Sequence, residues 1–194
     1  MHQSVQEQTE AEVNAKIEEH LREVLKLLKI NNEEVIRETP RRFRQVLQER
    51  TASDREELDP KILKTFEMED PGMVVVKDLE VNSLCEHHLM PFFGTASIAY
   101  LPKKEVLGLS KLARIVNYCS NKEQLQERLT DEIVKTIDSV VPNDGIVVLI
   151  KCKHFCMIFN QELKCKAETI TLVKTGKFKE DPNVFKEFQD TIKS

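Results

Sequence analysis

Three observations predict an α+β fold for this chain. The pattern changes at Pro71-Gly72 from helical spacing to strand-like runs. Two helix-periodic stretches then follow one another between about Ser110 and Val140. Strand-length apolar segments stand on both sides of them. Paired strands flanking two helices describe a sheet carrying helices, with a separate helical region in front of it.

From Glu12 to Leu28, Val13, Ile17, Leu21, Val24, Leu25 and Leu28 recur at helical spacing, which predicts an amphipathic helix with charged residues on its other face. Asn31 and Asn32 end it. A short helix over Glu33 to Arg37 follows. A third begins at Thr39-Pro40, with Thr39 as N-cap and Pro40 at the first helical position, and runs through Phe43, Val46 and Leu47. Residues 51–70 are polar and charged and read as a connector containing a short helix. Beyond it, Met73 to Val76, Leu79 to Leu84 and Thr95 to Leu101 are strands, the last ending at Pro102. Ser110 opens a helix through Leu112, Ile115 and Val116. The next, from about Lys122 to Val140, carries Leu125, Leu129, Ile133 and Ile137 on one stripe. Gly145 to Cys152 and Thr169 to Val173 complete the strands. Residues 1–70 are therefore expected to form a helical region and connector, and residues 71–194 the domain that carries the chemistry.

Composition narrows the function. The 194 residues, 40% hydrophobic and 32% charged, suit a chain that buries a real core. No apolar run reaches the roughly twenty residues of a membrane span, and the polar N-terminus lacks the apolar stretch of a secretory signal. Five cysteines without a regular framework agree with a reducing compartment, so the expected location is cytoplasmic. A net charge of −4 argues against broad nucleic-acid binding. It leaves room for an anionic small molecule held by a few local cations.

Two clusters carry the chemistry: Cys85-Glu86-His87-His88 and His154-Phe155-Cys156, both at strand ends. Thiolate and imidazole are the ligands zinc prefers, and three protein ligands leave a fourth position for water. Cys85, His88 and Cys156 would make such an open site, with His87 and His154 beside it as uncommitted imidazoles suited to proton transfer. A closed structural site, with one more imidazole as fourth ligand, satisfies the same spacing.

These residues also belong to longer motifs. Ser83-Leu84-Cys85-Glu86-His87-His88-Leu89-Met90-Pro91, Ile98-Ala99-Tyr100-Leu101-Pro102, Gly108-Leu109-Ser110-Lys111-Leu112-Ala113-Arg114-Ile115-Val116, Gln124-Leu125-Gln126-Glu127-Arg128-Leu129-Thr130 and His154-Phe155-Cys156-Met157 occur in order. Together they resemble GTP cyclohydrolase I from Thr39-Pro40 to about Phe178. The resemblance implies a tunnelling fold, an antiparallel sheet with two helices on one face, assembled into a homodecamer with active sites at subunit junctions. It implies a Zn2+ ion on Cys85, His88 and Cys156, and hydrolytic opening of the guanine imidazole ring of GTP to give 7,8-dihydroneopterin triphosphate and formate. Within that resemblance His154 and His87 match the proton-transfer residues. Ser110 matches the serine of the ribose rearrangement, and Glu127 with Gln126 matches the residues on the guanine edge. Lys111 and Arg114 match the cations on the triphosphate, with Arg42 as a third.

One departure stands out. The family usually has an Arg-Gly pair three residues after the Met of the His-x-Cys-Met element; here Asn160 and Gln161 occupy those positions. A bidentate phosphate donor is thereby lost. A rebuilt phosphate end, a related purine nucleotide as substrate, and a non-catalytic zinc-binding ring protein are the three readings that fit the change.

Overall fold

The computed structural model describes residues 9–52, 64–159 and 166–193. The chain forms two compact units, Met1–Glu49 and Arg50–Ser194. No helix among the described residues is long and apolar enough to cross a membrane.

The first unit is a pair of helices, α1 (Glu10–Leu27) and α2 (Glu33–Arg50). Thr9 and Glu12 cap α1 reciprocally: the Thr9 hydroxyl accepts from the Glu12 amide at 3.3 Å, and the Glu12 carboxylate accepts from the Thr9 amide at 2.9 Å. The two helices are tied by Arg44 donating to Glu18 at 2.8 Å and Gln48 donating to Asn14 at 2.7 Å. The two short helices expected at 33–37 and from Thr39-Pro40 are one, with Pro40 inside it. Asn32 supplies the cap instead of Thr39, its side-chain oxygen accepting from the amides of Glu34 and Val35 at 3.0 and 3.3 Å. A mid-helix proline costs about 3 kcal/mol. Here its ring is buried, which offsets part of that cost and removes the need for a second cap.

The second unit is built on a five-stranded sheet of order β5-β2-β3-β6-β7. Its strands are β2 (Val74–Cys85), β3 (Pro91–Pro102), β5 (Glu123–Gln124), β6 (Asn143–His154) and β7 (Thr169–Lys174). All neighbours are antiparallel except the two-residue β2–β5 pair. The two segments expected at Met73–Val76 and Leu79–Leu84 are a single strand with a register shift between Val76 and Leu79, where Asp78 takes a positive φ of 59°. A smaller sheet pairs β1 (Thr65–Glu67) with β4 (Glu105–Leu107). The short helix expected in the connector falls largely on residues 53–63, outside the described residues.

Two helices, α3 (Leu109–Ser120) and α4 (Gln126–Val140), lie between β4 and β6 in the chain and pack on one face of the sheet. The alternation of strand side chains decides which residues meet them. Ile98, Tyr100, Ile146, Val148 and Ile150 point to Leu112, Ile115, Val116, Leu129, Ile133 and Ile137, and all are buried. Ala99 and Val147, one step out of phase, point the other way. They are covered by Phe178 and Phe188 from α6 (Lys177–Glu180) and α7 (Pro182–Lys193), two helices absent from the expected layout.

Register then sets the site. Leu84 pairs with Pro91 and Phe92 with His154, so the end of β2, the start of β3 and the end of β6 share one end of the sheet. Both chemical clusters are delivered to that end.

Candidate active site

Cys85 is the last residue of β2 and is buried. Its amide donates to the Met90 carbonyl at 2.8 Å, and its own carbonyl accepts from Leu89 at 2.8 Å and His88 at 3.3 Å. That tight turn, closed by Leu89 at a φ of 49°, folds the His88 ring back to 3.8 Å between its Nδ1 and the Cys85 Sγ. Cys156 comes from the one-turn helix α5 (Phe155–Ile158), directly after β6. The ligand atoms of Cys85, His88 and Cys156 all lie within 4.8 Å of one another.

These three fit a metal ion. Tetrahedral zinc with its usual bond lengths separates a sulfur and a nitrogen ligand by about 3.6 Å, close to the 3.8 Å between Cys85 and His88. Burial pushes the Cys156 thiol up, and the Cys85 sulfur beside it pushes further in the same direction. A thiol whose ionisation is disfavoured by burial and by a neighbouring sulfur is one a divalent cation would relieve.

His154, the last residue of β6, lies parallel to the buried Phe92 ring, with centroids 4.5 Å apart and planes at 9°. Its Nε2 is 2.8 Å from the side-chain oxygen of Gln126. Burial lowers its pKa below the ordinary imidazole value, while the negative charge of Glu127 pulls the other way. Glu127 itself is exposed in the first turn of α4. His87 is exposed, with its Nε2 3.7 Å from Glu86 Oε1. The second Glu86 oxygen accepts from Arg128 Nη1 at 2.7 Å, so a carboxylate stands between the imidazole and a guanidinium.

Gln126, expected on the guanine edge, is instead 1% exposed and its amide is engaged inside the protein. Ser110, Lys111 and Arg114 lie in the first two turns of α3. That helix begins at Leu109 rather than Ser110, behind an N-cap, Gly108, that has no side chain to occupy the terminal amides. Arg42 is an exposed residue of α2, in the first unit. Asn160 and Gln161 lie outside the described residues. Cys119 and Cys152 are buried core thiols outside the three-ligand group, pushed up by burial to about 11 and about 12. Sequence reasoning missed Phe92, whose part depends on strand register, and Arg128, whose partner Glu86 lies 42 positions earlier in the chain.

The family profile of GTP cyclohydrolase I matches residues 17–193. The chain belongs to the GTP cyclohydrolase I family. It is 39% identical over 164 residues to GTP cyclohydrolase 1 of Coxiella burnetii, covering 84% of this chain and 89% of that one. It is 45% identical over 129 residues to GTP cyclohydrolase 1 of Leptospira biflexa, covering 66% and 70%. The human GTP cyclohydrolase 1 is 44% identical over 129 residues, 66% of this chain and 52% of its own length. An archaeosine synthase QueF-Like structure in the apo form aligns with a TM-score of 0.46 at 19% identity, over 56% of this chain and 97% of its own. The antiparallel sheet with α3 and α4 on one face is the tunnelling fold that the motifs implied.

Proposed function

We propose that this chain is a GTP cyclohydrolase I that hydrolytically opens the guanine imidazole ring of GTP, giving 7,8-dihydroneopterin triphosphate and formate. The observation that carries the reading is the convergence of Cys85, His88 and Cys156 within 4.8 Å, beside a half-buried His154, in a chain of this family. Cys85, His88 and Cys156 hold zinc, which when bound lowers the pKa of water toward neutrality and supplies the hydrolytic nucleophile.

The protein's own groups do the rest. His154, kept neutral near pH 7 by burial, takes up a proton and delivers it to the departing ring nitrogen. His87 assists proton transfer, with its Nε2 3.7 Å from one Glu86 oxygen and Arg128 holding the other. The exposed carboxylate of Glu127 accepts hydrogen bonds from the adjacent N–H donors of guanine. Lys111 and Arg114, near a helix N-terminus without a side-chain cap, hold the triphosphate. Ser110 acts on the ribose during rearrangement.

The active form is a homo-oligomer, a decamer by the family pattern. In support, β7 is paired on one side only among the described residues and shows Ile170 and Leu172 to solvent. The free thiols of Cys85, Cys119, Cys152 and Cys156 suit a reducing cytoplasm.

The test is the zinc-loaded chain incubated with GTP, followed by fluorescence of the oxidised pterin and by formate release. Both signals are expected, in which case Asn160 is tolerated at the phosphate end. Neither signal with zinc bound at one per chain would overturn the reading. Light scattering of the same sample, giving one chain per particle, would overturn the oligomer.

A further inference from the structure

Gln126 sits in a hydrogen-bond chain whose direction is fixed throughout. Its Nε2 lies 3.2 Å from the Ile150 carbonyl oxygen and 3.1 Å from the Thr169 carbonyl oxygen. Carbonyls only accept, so the amide nitrogen must face them and the amide oxygen must face away. A third contact agrees. Thr130 gives its single proton to the Gln126 backbone carbonyl at 2.7 Å. Thr171, 2.7 Å from Thr130, must therefore donate to it, which leaves its oxygen only an accepting role toward Gln126 Nε2 at 3.1 Å, sharing one of the two amide protons with a carbonyl. An inverted amide would set an oxygen against two carbonyl oxygens in the interior, where an unpaired polar group costs most.

The remaining atom of that amide, Oε1, is 2.8 Å from His154 Nε2. An amide oxygen cannot donate, so Nε2 of His154 must carry the proton. The Phe92 ring, parallel to the imidazole at 4.5 Å, resists rotation of the ring out of this plane.

We propose that Gln126 is a positioning residue that holds His154 in its Nε2–H tautomer, so that Nδ1 is the nitrogen that takes up and releases the catalytic proton. The inference rests on the proposed function for its catalytic meaning, though not for the tautomer itself. It also removes Gln126 from the substrate-contacting set: every polar atom of its side chain is already engaged within the protein, and recognition of the guanine edge falls to Glu127.

The test uses the full zinc-loaded chain with 15N-labelled histidine, sedimented for solid-state NMR, with the His154 signals assigned by difference from His154→Gln. Imidazole nitrogen shifts distinguish protonated from unprotonated nitrogen. The expected result is a protonated Nε2 and an unprotonated Nδ1. In Gln126→Leu the Nδ1–H form appears, zinc stays at one per chain, and kcat falls by about 10- to 100-fold, as for other residues that orient a catalytic ligand. The KM for GTP stays within about twofold, because no substrate contact is removed. Gln126→Met, of similar length and with no amide oxygen to face His154, should release the tautomer likewise and is the variant to use if Gln126→Leu does not fold. An Nδ1–H tautomer in the wild type overturns the proposal, as does a tautomer unchanged in Gln126→Leu. A raised KM with kcat preserved does so too, since it would make Gln126 a substrate ligand. Should the wild type turn over no GTP, the proposed function fails, while the NMR result still decides the tautomer.

Discussion

Gly94 lies on β3 opposite Cys152 of β6, two residues from the Phe92–His154 pair. A Cβ placed on it would run into the Lys151 carbonyl oxygen and come within 2.7 Å of Cys152 Cα and 2.8 Å of the Lys151 carbonyl carbon. These are backbone atoms, so no side chain can swing aside. Carbon atoms pack at about 3.5 Å or more, so the strands must part locally by roughly 1 Å. An opening of that size weakens the ladder bonds on either side, at about 1 kcal/mol each, and adds overpacking of about 1–3 kcal/mol. Gly94→Ala is therefore expected to lose roughly 3–5 kcal/mol. Gly72→Ala is the internal control, because a Cβ there meets nothing within 4 Å, and it should stay within about 0.5 kcal/mol of the parent. Denaturant midpoints at fixed zinc and protein concentration compare the two, with zinc per chain measured in parallel. Because β6 carries His154 and leads straight into Cys156, Gly94→Ala should also hold less zinc. Equal midpoints for the two variants would refute the close-approach argument.

Tyr100 is buried, and its hydroxyl accepts from the Leu107 amide at 2.8 Å. Tyr100→Phe leaves that amide unpaired and should cost about 1–3 kcal/mol, read from the same denaturant midpoints; no change would mean another acceptor replaces the phenol. Cys156→Ala should lose zinc and GTP turnover together, measured by metal analysis and pterin fluorescence. His154→Ala should keep zinc at one per chain and lose turnover, and retained turnover would sink its role as proton donor.

Much of the site could be read from residue type and spacing. Cys85, His88 and Cys156 were identified as a metal set, and the structure places their ligand atoms within 4.8 Å of one another. Periodicity located α3 and α4 because Leu112, Ile115, Leu129, Ile133 and Ile137 all face one sheet. Other features depended on information that spacing lacks. Pro40 looked like a helix start because proline favours that position, yet Asn32 was the stronger local cap and the helix ran through. The C-terminal helix had a signal that went unused: Val184, Phe185, Phe188 and Ile192 recur at helical spacing after Asp181-Pro182. Gln126 is similar. It shares a helical phase with Thr130, Ile133 and Ile137, which already places it on the buried side of α4 while Glu127 faces out. Register was not legible at all, and register is what stacks Phe92 on His154.

The buried thiols have a practical consequence. Alkylating reagents attack thiolates, and at neutral pH Cys119 and Cys152, raised to about 11 and about 12, hold almost none. A cation held between Cys85 and Cys156 would shield both sulfurs from such a reagent. In a Cys165→Ser chain, the change in maleimide uptake when a chelator is added would thus report metal occupancy of that pair. Occupancy of the purified chain can then be followed with neither substrate nor turnover required.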